Sequence, residues 1–115
     1  MNIEKGNEVI LRVDFSSASE DLTSKLSGIT ARLVNSYGHG TAVEGSLSER
    51  TLLLPVDTDS LGSGVYDLDV RFMYLGHKRR HSFRSTLNVG RSVGSDHATG
   101  ESDGVPVYMI GIIEV

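Results

Sequence analysis

Three groupings of polar residues have the types and spacing that chemistry could use: Asp57-Thr58-Asp59, the pair Asp67 and Asp69, and the pair His77 and His81. Asp57-Thr58-Asp59 begins like a calcium loop, but position five falls on Leu61 and position twelve on Leu68, and neither side chain can ligate the ion. It reads instead as a polar turn in which Asp57 or Asp59 accepts backbone N–H groups. Asp67 and Asp69 lie two apart in an alternating segment, which puts both on its solvent face. Without a partner of different environment, two such carboxylates keep a surface soluble rather than transfer protons. His77 and His81 would suit a metal on a helix, but here they flank a turn region with no third ligand near in sequence. No Gly-x-Ser-x-Gly elbow is present, and Gly38-His39-Gly40 and Gly62-Ser63-Gly64 lack the phosphate-loop fingerprints. The chain has no Cys, hence no thiol nucleophile, disulfide or cysteine-ligated zinc. The expectation is a protein that is not an enzyme, with no catalytic residue, cofactor or metal.

Charge is more informative. Residues 70–95 contain Arg71, Lys78, Arg79, Arg80, Arg84 and Arg91 and no carboxylate, whereas the remaining 89 residues hold five cations and fifteen carboxylates. Clustered cations raise the local potential and speed encounter with anions. Arg71, Lys78, Arg79, Arg80 and Arg84 are therefore candidate contacts for an acidic protein partner. The alternative is a solvated hairpin tip, whose charges, Arg79 and Arg80 included, would add little to stability. Nucleic acid is not an expected partner, because the pI is near 5.5 and no groove-reading or stacking motif accompanies the cations.

The second candidate surface is the C-terminal segment 105–115. In a plain extended reading, Val107, Met109 and Ile113 fall on one side and Tyr108, Ile110 and Ile112 on the other. A strand apolar on both sides is usually buried on both sides. It either returns to its own sheet or pairs with a neighbouring subunit, so Val107, Met109, Ile110, Ile112 and Ile113 are candidate subunit contacts and a homo-oligomer is expected.

The elements that position these residues read as strands. Val9, Leu11, Val13 and Phe15 alternate with polar residues, as do Ile29, Ala31 and Leu33, and Tyr66, Leu68, Val70, Phe72 and Tyr74. Thr41–Gly45, Thr51–Val56 and the run from Phe83 to Val89 complete the set, the last forming a hairpin with the strand before it across Gly76-His77-Lys78-Arg79. Ser17-Ala18-Ser19-Glu20 fits a capping box, with Leu22 and Leu26 four apart, so one helical turn is expected within 17–27. With 115 residues, 38% hydrophobic and no apolar run of 18, the chain suits one domain without a transmembrane helix. The expected fold is an all-β, immunoglobulin-like antiparallel β-sandwich of about seven strands. The expected organisation is a core over 1–90, a flexible Gly/Ser-rich linker over 91–104 and an apolar strand over 105–115.

One family pattern runs through residues 5–90. Lys5-Gly6-Asn7 precedes a strand, Glu20-Asp21-Leu22-Thr23 precedes Ile29-Thr30-Ala31-Arg32-Leu33, and Thr51–Val56 follows. Then come Asp59-Ser60-Leu61, Gly64-Val65-Tyr66-Asp67-Leu68-Asp69-Val70 and the strand Ser85–Val89. This order resembles the immunoglobulin-like N-terminal domain of tailed-phage baseplate upper proteins and related tail-associated modules, whose central strand opens on a Gly-x-Tyr element. The resemblance implies a non-catalytic structural adaptor that docks to other tail or baseplate subunits, carries receptor-binding modules and becomes part of the virion. Met1-Asn2-Ile3-Glu4-Lys5, with neither a signal's apolar stretch nor a transit pattern, sets the expectation of a chain cytoplasmic at synthesis. After residue 90 the chain departs from that pattern, with a short apolar segment in place of a fibre-like extension. The other class considered is a cell-surface or polysaccharide-binding sandwich, which needs exposed aromatic rings. Five of the seven Phe and Tyr are assigned to cores, leaving Tyr37 and Tyr108.

Overall fold

Alternation of apolar and polar side chains places one face of each long strand against the other sheet and the other in water. In the computed structural model, which describes residues 1–17, 22–91 and 94–115, this pattern builds ten strands. They are β1 (Asn2–Glu4), β2 (Glu8–Ser16), β3 (Leu26–Asn35), β4 (Gly40–Val43), β5 (Ser46–Ser48), β6 (Thr51–Asp57), β7 (Gly64–Tyr74), β8 (His77–Gly90), β9 (Gly100–Ser102) and β10 (Val105–Glu114). Two five-stranded sheets, ordered β1-β8-β7-β3-β4 and β5-β6-β2-β10-β9, pack as a sandwich.

The all-β sandwich expected from the alternation is present, with two corrections. Ten strands stand where about seven were expected, because β1, β5 and β9 are three residues each, too short for alternation to register. The sheets are also mixed rather than antiparallel, since β1 runs parallel to β8 and β10 parallel to β2. Strands β2 to β8 keep immunoglobulin-type wiring: β2, β6 and β5 share one sheet and β3, β7 and β8 the other. The place beside β2 that a first strand usually holds is taken by β10. At the start of β7 the Tyr66 hydroxyl donates to the Gly62 carbonyl at 2.7 Å, the corner tie of such sandwiches.

Between the sheets, Val9, Leu11, Val13 and Phe15 meet Leu68, Val70, Phe72 and Leu87, all buried. The Phe15 and Phe72 rings pack edge to face with centroids 5.3 Å apart. Leu22 and Leu26 are both buried, and a single helical turn, of the 3₁₀ kind, at Thr23–Lys25 joins them. Ala18, Ser19 and Glu20 of the expected capping box lie outside the described residues. Buried Thr58 locks the β6–β7 corner to the β1–β2 turn: its Oγ1 accepts from the Gly6 N–H at 2.9 Å and donates to the Asn7 carbonyl at 2.7 Å. Asp57 accepts the Asp59 N–H at 3.0 Å, the turn role read from its sequence.

Sheet edges decide what remains open. One flank of the sandwich ends in the short strands β4 and β5, the other in β1 and β9. On that second flank the covering strands reach only one end.

Candidate functional site

The open end of that flank begins at a tight hairpin. Leu75 and Gly76 form its two-residue turn with φ of 50° and 80°, the left-handed pair of a type I′ turn. In such a turn Tyr74 and His77 are the hydrogen-bonded closing pair, and alternation then points the N–H and C=O of Lys78, Arg80 and Ser82 away from β7. The turn therefore sits one residue earlier than the Gly76–Arg79 stretch read from sequence. It leaves Leu75 60% exposed, in a conformation that is costly for a residue with a Cβ.

Nothing among the described residues pairs with the outer edge of 77–85. Strand β1 covers only Asn88–Gly90, extended by Met1, whose amino group donates to the Thr86 carbonyl at 3.1 Å and whose carbonyl accepts the Asn88 N–H at 2.8 Å. The bare stretch ends in a bulge, where Ser85, at φ 51°, donates its N–H to Asp67 Oδ1 at 2.8 Å.

The hairpin cations divide into two groups. Asp69 is not the solvent-facing carboxylate expected from the alternation. It is 4% exposed and accepts from Arg80 Nε at 2.7 Å, Ser82 Oγ at 3.0 Å and Arg71 Nε at 3.2 Å. Burial pushes its carboxyl upward, but the hydrogen bonds from Arg80, Ser82 and Arg71 and the charge of Arg80 outweigh it, and the net shift is downward. Arg71 and Arg80 are thus structural partners of a buried charge rather than free tip charges, whereas Arg79 lies over the Tyr74 ring at 5.6 Å. Lys78 and Arg84 are exposed, with no ion pair among the described residues. Of the five predicted basic contacts, these two carry the least compensated charge.

The C-terminal strand lies in its own sheet, beside β2 along Val107–Glu114. A bulge at Ile110 reverses its second half, because the register passes from Met109 opposite Arg12 to Gly111 opposite Val13. Tyr108, Gly111 and Ile113 therefore share the inward face, while Val107, Met109 and Ile112 share the outward one. This corrects the reading that grouped Ile113 with Val107 and Met109. Val107 and Ile113 are both buried within the chain, which leaves little of either side chain exposed for a subunit contact. Met109 and Ile110 are half-buried, and Ile112 is 55% exposed. Gly111 makes room for Phe83, whose ring would lie 2.6 Å from a Cβ at that position.

Within the stretch read as a linker, 91–104, β9 pairs with Val105–Val107 and several side chains are tied down. Ser95 Oγ accepts the Glu4 N–H at 3.2 Å, Asp96 Oδ2 accepts the Asn2 N–H at 2.9 Å, and the Tyr108 hydroxyl donates to the Asp96 carbonyl at 2.9 Å. Burial and the Asp96 charge both raise the Tyr108 pKa. Ser92 and Val93, also in that stretch, lie outside the described residues.

Between the β8 edge and β10 runs a shallow groove of about 310 Å³, lined by Met1, Phe83, Arg84, Met109 and Ile110 among others. The site is thus an unpaired strand edge rimmed by Lys78, Arg79 and Arg84, with a groove of mixed polar and apolar lining at its Ser85 end. Such an arrangement can hydrogen-bond an extended chain and attract negative charge. Sequence reasoning missed Leu75 and assigned Phe83 to the core. The positive-φ requirement that Gly76 signals for a two-residue turn was the available clue to Leu75. No three metal-binding side chains come together among the described residues, and no helix is long and apolar enough to cross a membrane. No protein-family model, curated protein or solved structure matches the chain.

Proposed function

We propose that this chain is a non-catalytic assembly module, a structural or adaptor protein that joins protein neighbours through the open end of its β8 flank. One observation carries the reading. The edge strands β1, β4, β5 and β9 are three or four residues long, whereas β8 leaves 77–85 bare among the described residues, next to exposed Leu75. Folded proteins blunt or cover their edges, and a long bare edge invites a partner strand. The resemblance of residues 5–90 to baseplate modules suggests tail or baseplate subunits as neighbours, with the virion as location and further copies of the chain among the partners.

Charge bears on how copies would meet. A two-fold β8–β8 contact would crowd Lys78, Arg79 and Arg80 of both copies together, which like-charge repulsion opposes. A head-to-tail contact would bring the cationic edge against the acidic remainder of the next copy, and such contacts close into rings or extend as filaments. A polysaccharide-binding role draws less support, since Tyr37 is 86% exposed but Tyr108 is buried. Light scattering after size exclusion, at rising protein concentration and in low and high salt, tests self-assembly. The expected result is a mass above the 12.4 kDa of one chain that falls as salt rises. A monomer at every concentration would sink the homo-oligomeric form of the proposal.

A further inference from the structure

We infer that the occupant of the open edge is an extended, acidic segment of a partner protein, added antiparallel to β8 as an extra strand, with carboxylates on its outer face and apolar side chains on its inner face. The inference rests on the assembly reading and deepens it by giving the partner's chemistry. Backbone geometry comes first. Lys78, Arg80 and Ser82 each point an N–H and a C=O outward, so an incoming strand finds an alternating row of donors and acceptors.

The two faces of that row differ. Cross-strand neighbours share a face, so residues opposite Lys78, Arg80 and Ser82 project beside their side chains on the solvent side. Residues between them project beside Arg79, His81 and Phe83, of which Phe83 lines the groove with Met109 and Ile110. Phe83 and His81 already pack with ring centroids 4.5 Å apart, which makes the inner side partly apolar. A partner strand that alternates carboxylate and apolar residues satisfies both sides.

The cations also act by exclusion. Asp69 is the one carboxylate ion-paired with the hairpin cations among the described residues; it engages Arg71 and Arg80 and leaves Lys78 and Arg84 without a counter-charge. A neutral strand would bury part of these cations without compensation, and a basic one would be repelled. The same residues that keep β8 from pairing indiscriminately therefore select an acidic strand.

Fluorescence anisotropy with a labelled peptide alternating Glu and Val tests this on the full chain. In the proposed pairing each Glu lies opposite Lys78, Arg80 or Ser82 and turns its N–H toward β8, while each Val N–H points to solvent. The expected result is binding that survives N-methylation of the Val residues and is lost on N-methylation of the Glu residues. Substituting Lys78→Glu together with Arg84→Glu, neither of which disturbs an ion pair among the described residues, should weaken binding about tenfold or more. Equal binding of all three peptides would show charge attraction without strand addition and overturn the inference. Absence of binding, or the reverse methylation pattern, would overturn it as well. A chain that self-associates in light scattering but ignores the peptide loses this inference alone, whereas a monomeric chain that binds it loses only self-assembly.

Discussion

The two ends of one flank differ in what they do with the same kind of edge. At the closed end, Asn88–Gly90 of β8 pairs with β1, and Asp96 joins β1 to Tyr108 of the other sheet. Ile3 is fully buried there, and the polar groups that this end gathers are hydrogen-bonded. At the open end, 77–85 of the same strand has a bare outer edge with cations along it, and half-buried Phe83 in place of a fully buried residue. The closed end satisfies its backbone groups within the chain; the open end leaves the outward groups of 77–85 without a partner among the described residues. One strand thus has a covered and an uncovered stretch, divided at the bulge near Ser85.

The largest expected effect is at the closed end. Ile3→Ala removes the one fully buried side chain of a three-residue strand, and should cost about 2–5 kcal/mol. Chemical denaturation measures it. A loss near zero would show that β1 does not close the flank, and the contrast between the two ends would disappear.

Next comes Asp69→Asn, expected to cost about 1–3 kcal/mol, because a buried acceptor loses the charge that Arg80 and Arg71 engage. Its pH dependence has a definite sign. The folded pKa of Asp69 lies below its unfolded value, so its contribution is fully present above that value, about 3.9, and is lost as pH falls through the folded pKa. Melting temperature should fall in acid for the native chain and fall less steeply for Asp69→Asn. Parallel acid profiles would mean that Asp69 is not held by its arginines, and the hairpin would be as loosely tied as a solvated tip.

Long alternating stretches made most of this sandwich legible: Tyr66, Leu68, Val70 and Phe72 face the core as their period of two requires. What the period could not report depends on neighbours. Whether Asp69 is buried is decided by Arg80 and Ser82, which the hairpin brings across from it. The face of Ile113 is decided by one extra residue at Ile110, and a single insertion reverses everything after it. The open edge was legible as a charge cluster at Lys78, Arg79, Arg80 and Arg84, but not as an edge. Openness is a property of the strand beside β8, and β1 is too short to show in the sequence. The parallel pairing of β10 with β2 was invisible for the same reason, since apolar content states that a strand is buried and not against what.

The smallest expected effect is the most discriminating. Lys78→Glu with Arg84→Glu should change stability by less than about 0.5 kcal/mol, because both side chains are exposed and unpaired among the described residues. Arg80 is the contrasting site. Its reversal would set a second carboxylate against Asp69, so the hairpin cations are not interchangeable despite their adjacency in sequence. If the Lys78 and Arg84 pair proves costly in a denaturation experiment, these residues have intramolecular partners, and the open end belongs to the fold as much as the closed end does. If it proves neutral while peptide binding falls, folding and docking are separable along a single strand. Cations at an edge would then be recognition elements as well as guards against aggregation, because a charge kept only to prevent pairing has no acidic strand to lose.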